Sequence, residues 1–309
     1  MKRYLLLIAL LVGFSGCENY FDLNENPNLI SNPPLPSLLS TTTQKTALNS
    51  QRVGYTTSYF VQYLASPGAG GSTDTYQDTD YTGTWDAIYY AMADLYDMKQ
   101  LAQDQNATEY AGVANVMLSY HLNLIMDTFG SAPFSEAFTG DPLTPGYDTQ
   151  EELYAAALSL LDQGIAELSK PNSAIRLSAP NDLIHGGSTA TWIKTAYALK
   201  ARMLNKISKK SNYNPNAVLA AVEKSYTSNA DDAQMSTFQL RNPWAQVALN
   251  NAALVLDGWL SEQLVDHLNG TTYGLFDPRI EKITDKTVNG VYKGTVNGQG
   301  NVGGNNTVK

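Results

Sequence analysis

The chain has 309 residues, enough for one large domain or two small ones. With 43% hydrophobic and 16% charged residues it is globular rather than disordered, and a net charge of −9 argues against nucleic acid as a partner. A single cysteine, Cys17, and three scattered histidines, His121, His185 and His267, exclude a disulfide framework and a zinc cluster.

The first residues read as an export signal. Lys2 and Arg3 give a basic start, residues 5–12 form an apolar run, and Ser15-Gly16-Cys17 closes it. The run is too short to span a bilayer, which takes roughly 20 residues. Small residues directly before Cys17 resemble a bacterial lipobox, although Phe14 stands where leucine is commonest. The expectation is cleavage after residue 16 and acylation of Cys17, anchoring the chain by about 0.8 kcal/mol per buried methylene. An ordinary cleaved signal with an incidental cysteine is the alternative.

Residues 17–36 carry Asn-Glu-Asn-Pro-Asn and Asn-Pro-Pro and read as an extended tether, leaving 37–309 as the folded domain. Helices are expected over 38–65 and 85–102, with a long Gly/Ser/Thr/Asp/Tyr-rich loop between Pro67 and Thr84. Asn106 and Glu109 have the spacing of a capping box for a helix whose apolar stripe runs from Val113 to Phe129, with Gly130 as its stop. Residues 131–147 form a loop containing three prolines.

Thr149 and Glu152 have the same capping spacing before a stripe from Leu153 to Leu168. Ser188 or Thr189 starts a helix with Trp192, Ala196, Leu199, Met203 and Ile207 on one side. Trp192, at helical spacing, reads as core. Lys194, Lys200, Arg202, Lys206 and Lys209 form a solvated row on the other side. Asn214-Pro215 places a cap and first-turn proline before a short helix reaching about Tyr226. A further helix is expected over 254–268, and the best strand candidate is 288–296. The fold class is therefore all-α: antiparallel helix pairs, tetratricopeptide-like in stacking, with long decorating loops, though without the repeat's own signature.

Catalytic patterns are weak. Gly298, Gly300 and Gly303 match a dinucleotide fingerprint by letter, but no helix follows to hold a pyrophosphate. Asp74, Asp78 and Asp80 lack the glycine and distal glutamate of a calcium loop. No nucleophile elbow, P-loop or metalloprotease helix is present. The reading is a non-enzyme with no cofactor and no metal. Nineteen tyrosines, four tryptophans and eight phenylalanines beside so few charges suit flat contact with sugars or peptides, although any single tyrosine is more often core.

Several segments, taken in order, resemble one family. They are Phe21-Asp22-Leu23-Asn24-Glu25-Asn26-Pro27-Asn28 after the lipobox, Trp85-Asp86-Ala87-Ile88-Tyr89, and Asp127-Thr128-Phe129-Gly130-Ser131-Ala132-Pro133-Phe134. Pro145-Gly146-Tyr147-Asp148, Asn181-Asp182-Leu183-Ile184-His185-Gly186-Gly187 and Phe276-Asp277-Pro278-Arg279 follow. The set resembles SusD/RagB-type nutrient-binding outer-membrane lipoproteins of Bacteroidetes. That resemblance implies a tetratricopeptide-like fold facing the cell exterior and a SusC-like TonB-dependent β-barrel transporter as partner. It implies an oligosaccharide or peptide ligand passed on without chemical change. Family members are longer, so the resemblance also implies a chain incomplete at its C-terminus. Aromatic faces with hydroxyl and amide edges make sugar platforms. On that ground Tyr76, Tyr81, Trp85, Trp244 and Tyr273 are the ligand-binding candidates. A surface glycan-degrading enzyme and an adhesive lipoprotein remain as alternatives.

Overall fold

A computed structural model describes residues 33–298 except 67, 73–74, 253–257 and 288. Cys17, Asp74, Gly300 and Gly303 lie outside the described residues. The chain divides into Met1–Pro34 and one larger unit, Leu35–Lys309.

Five helices build the body: α1 (Leu35–Phe60), α2 (Thr82–Asp104), α3 (Thr108–Phe129), α4 (Gln150–Leu168) and α5 (Thr189–Lys206). Each packs on the next, and α3 also touches α1 and α5. On α3, 17 of 22 residues are buried, so it is the central helix rather than a surface one with a single apolar stripe. Leu39, Ile88, Met92, Leu95, Met98, Leu122, Ile125, Leu153 and Leu161 form the heart of the core, each fully enclosed. The all-α expectation of stacked helix pairs holds.

Local chemistry explains the helix ends. The Thr149 hydroxyl accepts from the Glu152 amide at 3.3 Å, and the Glu152 carboxylate accepts from the Thr149 amide at 2.8 Å, completing the expected capping box. Ser188 caps α5 and Asn214 caps α6 (Pro215–Val222), also as expected. α6 stops at Val222, four residues before Tyr226.

Asn106 does something other than expected. It sits at φ +51°, its amide donates to Gln103 O, and the Ala107 amide donates to Ala102 O. That pairing ends α2 as a Schellman motif, so Asn106 stops one helix instead of starting the next. Glu109 is 4% exposed; its carboxylate accepts from the Leu177 amide at 2.8 Å and pairs with Arg176. It ties the 172–187 connection to α3, whose N-cap residue Ala107 has no capping side chain; the Ser173 hydroxyl accepts from the Glu109 amide at 3.3 Å instead.

The α3–α4 contact is the most extensive in the protein, and glycine makes it close. A Cβ on Gly112 would lie 2.5 Å from Leu168 Cγ and 3.0 Å from Gly164 O. One on Gly164 would lie 2.8 Å from Val116 Cγ2. Ser119 Oγ donates across the same interface to Ala157 O. Before α5, buried Asp182 accepts N–H bonds from Ile184, His185, Gly187 and the Trp192 indole, which fixes Trp192 in the core as expected. The lysine row on α5 is less solvated than expected. Lys194, Lys200 and Lys206 each pair with an acid from another segment: Asp231, Asp162 and Asp127.

Beyond the body the chain is irregular. α1 ends at Phe60, not at 65. After it, β1 (Leu64–Ala65) pairs antiparallel with β2 (Trp259–Leu260). α7 (Pro243–Ala252) was not foreseen, and the helix expected over 254–268 begins, among the described residues, only at α8 (Glu262–Leu268). The Ser261 side chain caps α8 and forces the break after β2. Among the described residues, the 288–296 strand is reduced to one bridge between Thr295 and Ser261. α9 (Ile280–Ile283) completes a second, smaller apolar cluster of Tyr59, Leu64, Leu260, Val265 and Ile280. No described helix is long and apolar enough to cross a membrane.

Candidate functional site

The start of α2 and the 131–148 loop meet in an aromatic surface. Tyr81 precedes α2, and Trp85 follows it by one turn, its amide donating to Tyr81 O at 3.1 Å. Half-buried Trp85 packs edge-on to Phe129 at 5.2 Å and tilted on Tyr89 at 4.9 Å. On its outer side Tyr147 stacks at 6.2 Å with planes 29° apart and stays 67% exposed. Phe138 continues the array, contacting Tyr89 and stacking on Tyr96 at 5.7 Å.

The loop that presents Tyr147 is stiffened by its own polar groups. Ala132 and Asp148 exchange backbone hydrogen bonds across its base. The Asp148 carboxylate accepts from the Phe134 and Ser135 amides and the Ser135 hydroxyl. Partial burial opposes that charge, but those donors together hold Asp148 below the usual carboxylate range. Glu136 accepts from the Gly146 amide at 3.0 Å, next to Tyr147. The Tyr89 hydroxyl donates to Pro133 O at 2.7 Å. Burial first, then the nearby Tyr147 and Asp148, push the Tyr89 phenol upward, so it remains a donor.

The five candidates separate into groups. Tyr76 and Tyr81 both pack against Phe60, at 5.9 and 6.4 Å, and Trp85 lies one turn further along. Tyr76 is 69% exposed and at φ +51°. Trp244 sits in the first turn of α7, not in a loop, and packs on Tyr55 of α1 at 6.0 Å. Tyr273 packs on His267 at 5.1 Å and is also 69% exposed. Tyr147, Tyr89 and Phe138 were missed. Tyr147 was visible as the single aromatic in Pro145-Gly146-Tyr147-Asp148, whose turn residues mark an exposed loop tip.

Two concave volumes lie elsewhere. One of about 750 Å³ opens between the C-terminal end of α3, the first turns of α4 and the end of α5. The other, about 270 Å³, lies among α1, α3 and α5 beside Trp192. None of the five candidates lines either. No group of three His, Cys, Asp or Glu among the described residues is arranged to hold a metal.

No curated protein matches the chain. Among solved structures, a SusD/RagB family protein from Bacteroides thetaiotaomicron superposes with a TM-score of 0.74 at 24% identity, covering 90% of this chain and 62% of the other. A SusD homolog from Bacteroides uniformis gives 0.73 at 24%, covering 89% and 61%. A chitin-binding SusD homolog from Flavobacterium johnsoniae gives 0.71 at 20%, covering 89% and 60%. At these identities the likeness shows the fold, and the chain spans about three-fifths of each relative's length. The SusD-like family model, described as starch-binding associating with outer membrane, matches residues 27–308, and the chain belongs to that family.

Proposed function

We propose that this protein is an outer-membrane lipoprotein, anchored through Cys17 and facing the cell exterior, that binds an oligosaccharide and hands it unchanged to a SusC-like TonB-dependent transporter. The observation that carries the binding is the stack of half-buried Trp85 with exposed Tyr147, the latter on a loop braced by Asp148 and Glu136. A rigid aromatic face offers a pyranose ring a flat apolar partner at little entropic cost. The family's starch-binding description and the chitin-binding relative support a glycan over a peptide. Tyr76 and Tyr81 extend the platform past Phe60, whereas Trp244 and Tyr273 would serve separate contacts.

Isothermal titration with malto- and chito-oligosaccharides tests the reading. Tyr147 is 67% exposed, so Tyr147→Ala should weaken binding about tenfold, the worth of one stacked ring, without lowering the melting temperature. Unchanged affinity in Tyr147→Ala and Trp85→Ala alike would remove the platform. The hand-off is tested separately. Lipidated protein from mild-detergent extracts should co-purify with a β-barrel, and Cys17→Ala should abolish its membrane retention.

A further inference from the structure

We infer that the 750 Å³ cleft between α3, α4 and α5 is a second binding site, for a short peptide segment that combines apolar side chains with carboxylates. Its volume falls within the usual range for ligand sites, about 300–1,000 Å³. Its wall is apolar: Tyr154, Leu158 and Ile207 line it. The Tyr154 hydroxyl already donates to Met203 O at 3.1 Å, so the ring offers the cleft its apolar body. Asn212 adds an amide group of the kind that pairs with a peptide backbone, and Gln150, whose Nε2 already donates to Met126 O at 3.2 Å, offers its carbonyl oxygen.

The rim charges select the occupant. Lys206 is neutralised by Asp127 at 2.6 Å. Lys209 and Lys210 lie just beyond α5, exposed, with no carboxylate among the described residues at ion-pair distance. Glu151 stands across the cleft in the first turn of α4. In a protein of net charge −9, two adjacent lysines without acid partners beside an apolar wall form a local reversal of sign. A carboxylate on the lysine side, apolar side chains on the wall and an amide backbone between them match the lysines and the wall, while exposed Glu151 stays in water and holds the occupant's carboxylate to the lysine side. A polyhydroxylated sugar would leave Leu158 and Ile207 against hydroxyls that need partners. The site is independent of the Trp85–Tyr147 platform.

Fluorescence anisotropy on the full chain tests this, using labelled short peptides of alternating Leu/Glu, alternating Leu/Lys and Ser/Gln, and oligogalacturonate as competitor. The Leu/Glu peptide should bind at least about tenfold more tightly than the other two, with an affinity that falls as salt rises. Lys209→Glu/Lys210→Glu should erase that preference while leaving the melting temperature unchanged, since both side chains are exposed. Leu158→Gln should weaken the same peptide, and Tyr147→Ala should not. Equal binding of Leu/Glu and Leu/Lys peptides, or none at millimolar concentration, would overturn the proposal. Displacement by oligogalacturonate more readily than by unlabelled peptide would overturn it in favour of an acidic glycan site.

Discussion

The helical body and the 258–298 region are held together in different ways. In the body, five successive helices bury whole faces on one another, and α3 is enclosed almost all round. The 258–298 region is held by a two-residue strand pair with Leu64–Ala65, two short helices and a five-residue apolar cluster that includes Tyr59 and Leu64, supported by single backbone bonds such as Thr295 N–H to Leu260 O at 2.9 Å. Burial across long periodic faces makes the body one cooperative unit. The second region depends on bonds that can open singly.

The largest expected effect tests that contrast directly. Leu122→Ala, in the middle of α3, should cost about 2–5 kcal/mol of global stability in urea unfolding. Leu260→Ala should instead speed amide hydrogen exchange across 258–298 while α2 to α5 stay protected. Equal loss of protection in both regions would merge them into one unit.

The second prediction concerns pH. His121 is fully enclosed in the body; Met117 O accepts from its Nδ1, and its Nε2 has no partner. Burial, with a smaller effect of Lys45, lowers its pKa from 6.5 to about 4. Between those values the unfolded chain takes up a proton that the folded chain refuses. Stability is therefore full above about pH 6.5 and falls by about 3 kcal/mol as pH drops to about 4. Urea midpoints at pH 7.5 and 4.5 should show that slope, and His121→Leu should flatten it. An unchanged slope in the variant would place the acid sensitivity in the carboxylates instead.

The smallest effect is a helix end. Thr149→Ala should cost about 1 kcal/mol. The loss should be read as global unfolding, because α4 belongs to the body.

The same contrast governs what the sequence disclosed. The Leu153–Leu168 stripe, the Thr149–Glu152 box and the Ser188 and Asn214 caps are local patterns, and each formed where the residues placed it. Asn106 and Glu109 carried the same spacing, yet a left-handed stop and a partner 68 residues away claimed them. No local rule ranks such competitors. The β1–β2 pairing joins residues almost 200 positions apart and left no periodic trace. Of the candidate site, Trp85 and its neighbours on α2 were legible as aromatics. Tyr147 became part of it only when Ala132 and Asp148 closed their loop over the start of the helix.

The paired glycines Gly112 and Gly164 have a consequence for variation. They let the backbones of α3 and α4 come close, with Leu168 packed over Gly112 and Val116 over Gly164, so the spacing of the two helices is set at this crossing. The exposed side chains that line the cleft at the start of α4, Gln150 and Glu151, lie away from that crossing. They can be exchanged to suit a different ligand while the frame stays in place. The constraint thus concentrates on the two glycines and the side chains packed over them, and leaves the exposed rim of the cleft free.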